Sequence, residues 1–167
     1  MDELLKQKIQ FAVSQLDEHV SKADLLIKKC QAAEPDYIEL CAVGSMLHSY
    51  YNGIENILLL IAKGIDENVP NSGKWHSELL NAMFEKNTKR NTIFPETLRV
   101  SLTDYMNFRH FFRHSYGYSL KWEKASPLFL GMTENWKLVK NQIETFLSSE
   151  DNSSPNDCED ATQKTTQ

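Results

Sequence analysis

Residues 2–33 read DELLKQKIQFAVSQLDEHVSKADLLIKKCQAA. Leu5, Ile9, Ala12, Leu16, Val20, Ala23, Ile27 and Cys30 recur at steps of three and four, the spacing that aligns one face of an α-helix. Most of the remaining positions are polar, Leu4, Phe11, Val13, Leu25 and Leu26 being apolar exceptions. The segment is therefore a long amphipathic helix, Asp2 to about Ala33, whose apolar stripe needs a partner. Pro35 ends it. A second helix runs from about Asp36 to Ala62 and stops near Gly64, with Cys41, Gly44, Leu47, Tyr51, Ile54, Leu58 and Ile61 on its stripe. Residues 65–73, IDENVPNSG, have loop chemistry. A short helix follows from Lys74 to about Glu85, with Trp75, Leu79, Leu80 and Met83 inward. Lys86 to Thr92 is a polar, basic connection. Pro95 opens a fourth helix through Leu98, Leu102 and Tyr105 to about Ser115, with Gly117 as its stop. A fifth follows Pro127 and carries Phe129, Met132, Trp136, Val139, Ile143 and Phe146 inward. No window alternates with period two, so no strand is expected. Four long helices and one short one predict an all-α helical bundle over residues 1–149.

The composition, 41% hydrophobic and 25% charged in 167 residues, suits one domain with a core. The longest apolar run, Ile57 to Ala62, is far short of the roughly 18 residues that cross a bilayer. The charged N-terminus, MDELLKQKIQ, does not read as a signal peptide. A cytoplasmic protein without a membrane anchor is the expectation. Cys30 and Cys41 fall at apolar positions and Cys158 in a polar tail, a set that matches no zinc pattern and suits a reducing compartment. The net charge of −5 is uneven. Residues 80–149 sum to +4, whereas residues 1–79 sum to −5 and the tail, residues 150–167, to −4. The C-terminal half is thus basic enough to meet phosphate, although a solvated surface explains the same excess. The tail is too polar to order itself.

One segment concentrates the chemistry. Residues 107–116 read NFRHFFRHSY and hold two of the four arginines and two of the five histidines. Arg109 and Arg113 are one turn apart, as are His110 and His114; Asn107 and His114 share a face. Arg109 and His114 lie about 140° apart around an ideal helix. A straight, isolated helix does not aim both at one small ligand; a distorted helix end or a second chain is needed. Two readings stay open for the cluster: a polar helix face whose Phe residues pack in the core, or a site. Histidines at i and i+4 can bind zinc, but no HExxH pattern or third ligand accompanies them, so no metal or other cofactor is expected.

The pattern Arg109-x4-His114-x-Tyr116 resembles the R-x4-H-x-Y signature of the HEPN superfamily, in its HepT-like toxin branch. His110 stands where that superfamily often has Asn, Asp or His. The stretches SYYNGIENILLLIAKGID (49–66), WHSELL (75–80) and FRHFFRHSYGYSL (108–120) are similar to HepT-type proteins, and the resemblance covers about residues 1–149. It implies a HEPN-type bundle and a metal-independent endoribonuclease toxin, active as a homodimer in which both R-x4-H motifs line one cleft. Imidazole titrates near neutrality, so His114 is placed to exchange protons with a ribose 2′-hydroxyl or the leaving 5′-oxygen. The guanidinium fork of Arg109 suits the phosphorane-like transition state. Arg113, His110, Asn107 and Tyr116 are supporting candidates for substrate. His48, Asn52 and Glu55 fall at i, i+4 and i+7 on the apolar second helix, either facing solvent or the first helix, or meeting the motif. The resemblance implies an acidic residue there facing the motif arginine, a role that falls on Glu55. His76 is read as a cap or surface residue, with a substrate role as the lesser alternative, and His19 as a surface residue. The resemblance also implies a partner, a minimal nucleotidyltransferase (MNT) antitoxin that transfers AMP to the motif tyrosine, here Tyr116, with Tyr118 a neighbouring acceptor. A non-catalytic helical HEPN module that binds a nucleotidyltransferase or nucleotides is the alternative.

Overall fold

A computed structural model describes residues 1–114 and 120–151. Five α-helices make the bundle among these residues, and none of them is in a strand: α1 (Glu3–Ala32), α2 (Tyr37–Ile61), α3 (Trp75–Ala82), α4 (Arg99–His114) and α5 (Trp122–Asp151). Asp2 caps α1 by accepting from the Leu5 amide. Asp36 and Glu39 form a reciprocal capping box on α2, satisfying two amides that the first turn leaves without partners. The expected stripe of α1 is buried from Ile9 to Cys30. Helix α2 packs on all four other helices, which explains why Val43, Tyr50 and Ile57 are buried beyond its single expected stripe. The six residues expected inward on α5, from Phe129 to Phe146, are buried. No helix among the described residues is long and apolar enough to cross a membrane.

Buried polar groups fix how the helices register. Tyr50 on α2 donates to Asn135 Oδ1 on α5 at 2.8 Å, and Asn135 donates onward to Ser101 Oγ on α4 at 3.0 Å. Asp17 on α1 accepts from Trp136 Nε1 at 2.6 Å and from Lys140 Nζ at 2.5 Å, both on α5. Gly44 allows the close approach of α4 to α2. A Cβ there would lie 2.4 Å from the Phe112 ring and 2.9 Å from Leu120, well inside contact distance.

Two boundaries differ from those expected. Helix α5 begins at Trp122, five residues before Pro127, so Pro127 lies inside it. Pro127 lies in the second turn, and its missing amide forfeits the one bond to the Glu123 carbonyl. Buried Ala125 already belongs to the inward stripe. The second helix does not stop at Gly64. It passes into a π-turn, Ala62–Asp66, that closes at Glu67 in the left-handed conformation (φ 51°). That turn presents Asp66 to Arg90. The two form a bidentate pair at 2.8 Å, with the Arg90 side chain wholly buried. Arg90 also donates to the carbonyls of Ala82, Glu85 and Asn91. The connection read as a solvated basic stretch thus holds a clasp that ties the end of α3 to the end of α2. At the other end of α3, Ser72 Oγ accepts from the Lys74 amide at 3.0 Å and donates to Glu78 at 2.7 Å. Both ends of this eight-residue helix are therefore fixed.

Candidate functional site

Helices α2, α3 and α4 meet around one carboxylate. Glu55 is buried, and each of its oxygens has a partner from a different helix. Oε1 lies 2.5 Å from His76 Nδ1 on α3, and Oε2 lies 3.1 Å from Arg109 Nη2 on α4. Arg109 Nε donates to Asn52 Oδ1 at 2.6 Å, and Nη1 lies 3.3 Å from His76 Nε2. An arginine only donates. His76 Nε2 therefore accepts, its proton sits on Nδ1, and that N–H donates to Glu55. Trp75 lies against the His76 ring with centroids 3.6 Å apart, which restrains the imidazole plane. Three guanidinium N–H groups of Arg109 are engaged, and two have no acceptor among the described residues.

The network continues along α2. Asn52 Nδ2 donates to His48 Nε2 at 2.9 Å, which puts the His48 proton on Nδ1, and Nδ1 is buried without a partner. Burial first, and then the positive charges of Arg109 and Arg113, push His48 below the ordinary imidazole range against the opposing pull of Glu55. The Tyr51 hydroxyl, one turn before Glu55, is buried with no hydrogen-bond partner. Burial and the negative charge of Glu55 raise it above its usual value. The stripe His48, Asn52, Glu55 thus turns toward α3 and α4, not toward solvent or α1. His19 is half-buried and bonded to the Met46 carbonyl at 2.9 Å. His76, expected as a cap or surface residue, is instead a member of the central network. Its signal in the sequence was WHSELL itself, a histidine beside an inward-facing tryptophan.

A cleft of about 260 Å3 opens onto this network between residues 73–77 and α4, lined by Lys74, His76, Ser77, Asn107, Arg109 and His110 among others. A larger cleft of about 400 Å3 lies between α4 and α5, with Phe108, Phe111, Lys121 and Lys124 in its wall. Asn107 borders both. His114 does not converge with Arg109. It is exposed at the end of α4, its ring 4.7 Å from that of His110, while Arg109 is buried. Arg113 is exposed and close enough for its charge to act on His48. Tyr116 and Tyr118 lie outside the described residues, as do Ser115, Gly117 and the tail from residue 152. Among the described residues no group of three His, Cys, Asp or Glu side chains is arranged to hold a metal ion.

A family model described as HepT-like protein matches residues 42–149, well over half of the chain and the whole of the α2–α3–α4 site. The chain belongs to the HepT-like family. No curated protein and no solved structure matches it. The match begins within α2 and ends within α5. It therefore spans Glu55, His76 and the Arg109–His114 segment, and it places this HepT-like chain in the HEPN superfamily, a ribonuclease-related group.

Proposed function

We propose that the chain is a metal-independent endoribonuclease toxin, paired with an MNT-type nucleotidyltransferase antitoxin. The observation that carries this reading is the state of Arg109. It is 8% exposed, held by Glu55, Asn52 and His76, and borders a cleft with two N–H groups that have no acceptor among the described residues. A cation built in this way is preorganised for an anion that arrives from outside, and a phosphodiester fits its planar fork. Asn107 and His110 on the same wall, with Arg113 on the helix surface nearby, supply further donors for phosphate.

His114 acts in proton transfer, and the reaction is attack of the ribose 2′-oxygen on phosphorus with expulsion of the 5′-oxygen. The products are a 2′,3′-cyclic phosphate and a 5′-hydroxyl, so DNA, lacking the 2′-hydroxyl, is not cut. Because His114 is exposed at the end of α4 while Arg109 is buried, the working site takes groups from two protomers. Val100 and Phe111, 74% and 41% exposed and three turns apart, flank Asp104 and Asn107 on one mixed face of α4, and a second copy covers that face. Transfer of AMP from the antitoxin's ATP to the Tyr116 hydroxyl, with loss of pyrophosphate, adds a negative phosphodiester two residues along the chain from His114, which competes with RNA for the cationic site.

End-group analysis of RNA cleaved in EDTA tests the reading. The wild-type dimer yields 2′,3′-cyclic phosphate ends, and His114→Ala yields none. A folded, unmodified dimer that binds the nucleotidyltransferase but leaves RNA intact supports the non-catalytic module instead.

A further inference from the structure

We propose that His76 is a second proton-transfer group of this site, the base that takes the proton from the ribose 2′-hydroxyl. The inference rests on the ribonuclease reading and deepens it. Cleavage needs two proton transfers, one from the nucleophile and one to the leaving group, and His114 supplies one imidazole.

Four observations place the other at His76. Its Nδ1–H is held by a buried carboxylate oxygen at 2.5 Å, the arrangement that fixes an imidazole tautomer and stabilises the imidazolium when it forms. The opposite nitrogen, Nε2, is unprotonated and accepts from Arg109 across a long 3.3 Å contact. Such a bond is weak. His76 lines the same cleft as Arg109, so nucleophile and phosphate would meet the pair together. The ring plane is restrained by Trp75, and the backbone beneath it by the fixed ends of α3.

The charged and titratable groups around His76 are balanced for the task. Glu55 meets it from α2 and Arg109 from α4, with Tyr51 acting on that pair from α2, and His110 of α4 and Lys74 of the preceding turn line the same cleft. Glu55 bridges His76 and Arg109, so a proton gained on His76 is compensated by a carboxylate already in place. When a phosphodiester enters, the Arg109 Nη1–H turns to a phosphate oxygen and frees the Nε2 lone pair. Nε2 then takes the 2′-hydroxyl proton and the 2′-oxygen bonds to phosphorus. The bond from phosphorus to the 5′-oxygen breaks, and that oxygen takes a proton from the His114 imidazolium. Afterwards His76 returns its proton to water and His114 regains one.

The test uses full-length protein with two substrates, an oligoribonucleotide and uridine 3′-(p-nitrophenyl phosphate), whose leaving group departs without a proton. His76→Asn keeps an N–H toward Glu55 and removes the base. It is expected to lose about 10²–10⁴-fold in rate on both substrates, with the acid limb of the pH–rate profile flattened. His114→Ala is expected to lose cleavage of RNA and retain that of the aryl ester. Imidazole added to His76→Ala should restore part of the rate. His76→Asn cutting both substrates at the wild-type rate with an unchanged pH profile would reduce His76 to a strut for Glu55 and overturn the proposal alone. Wild-type protein that cuts neither would overturn the ribonuclease reading with it.

Discussion

Two arginines are buried in this protein, and they are buried differently. Arg90 places all five of its N–H groups on oxygens: both Asp66 carboxylate oxygens and the carbonyls of Ala82, Glu85 and Asn91. Its side chain has no exposure and no donor left over. Among the described residues Arg109 meets one carboxylate oxygen, one amide oxygen and one imidazole nitrogen, keeps two N–H groups without acceptors, and borders a cleft. A fully matched guanidinium serves the fold, because nothing else can bind it without breaking a bond. A partly matched one, held in place at the edge of solvent, is ready for a ligand. Burial alone does not distinguish the two; the count of satisfied donors does.

The largest effect expected from breaking this contrast is at the clasp. Arg90→Met leaves Asp66 buried without its cation and should cost about 3–5 kcal/mol in urea unfolding. Arg109→Ala should cost less, about 1–3 kcal/mol, because Glu55 keeps the His76 Nδ1–H. Equal losses from the two substitutions would erase the distinction. Gly44→Ala drives a methyl into the Phe112 ring. Overpacking of this kind should cost about 1–3 kcal/mol, and because Phe112 lies on α4 it should also lower RNA cleavage, whereas the Asp66–Arg90 clasp is untouched. The smallest effect expected is a pH slope at His48. Its folded form favours the neutral ring, so below the ordinary imidazole value of about 6.5 the unfolded chain binds a proton first and stability falls as pH falls. His48→Gln should flatten that slope in denaturant midpoints measured between neutral and mildly acid pH.

Much of the fold was legible because it depends on one-dimensional spacing. The stripes of α1, α2 and α5 follow from residues three and four apart, and all of these are found buried except Leu5 and Cys41 at the helix starts, which are half-buried. The start of α5 was not legible, because a proline reads as a boundary, whereas here the helix carries Pro127 in its second turn at the loss of one bond. Nor was the clasp. Nothing local pairs Arg90 with Asp66, 24 residues away, and a basic connection ordinarily faces solvent. At the site, Arg109 and Glu55 were legible from the motif and the resemblance, and the structure joins them. His76 was read as a cap or surface residue because WHSELL marks a histidine beside an inward tryptophan but not the meeting of three helices that gives it partners. The 140° separation of Arg109 and His114 was legible from helix geometry, and the structure keeps one buried and the other exposed.

The central claim is that Arg109 is held for an incoming phosphodiester. The most direct test is the rate of RNA cleavage in EDTA by Arg109→Ala relative to wild type, with dimer content and unfolding midpoint measured on the same preparations. Loss of one preorganised donor to a transition-state oxyanion typically costs about 10²–10³-fold, so a folded Arg109→Ala dimer should lose at least about that much. Cleavage at the wild-type rate by that dimer would contradict the account.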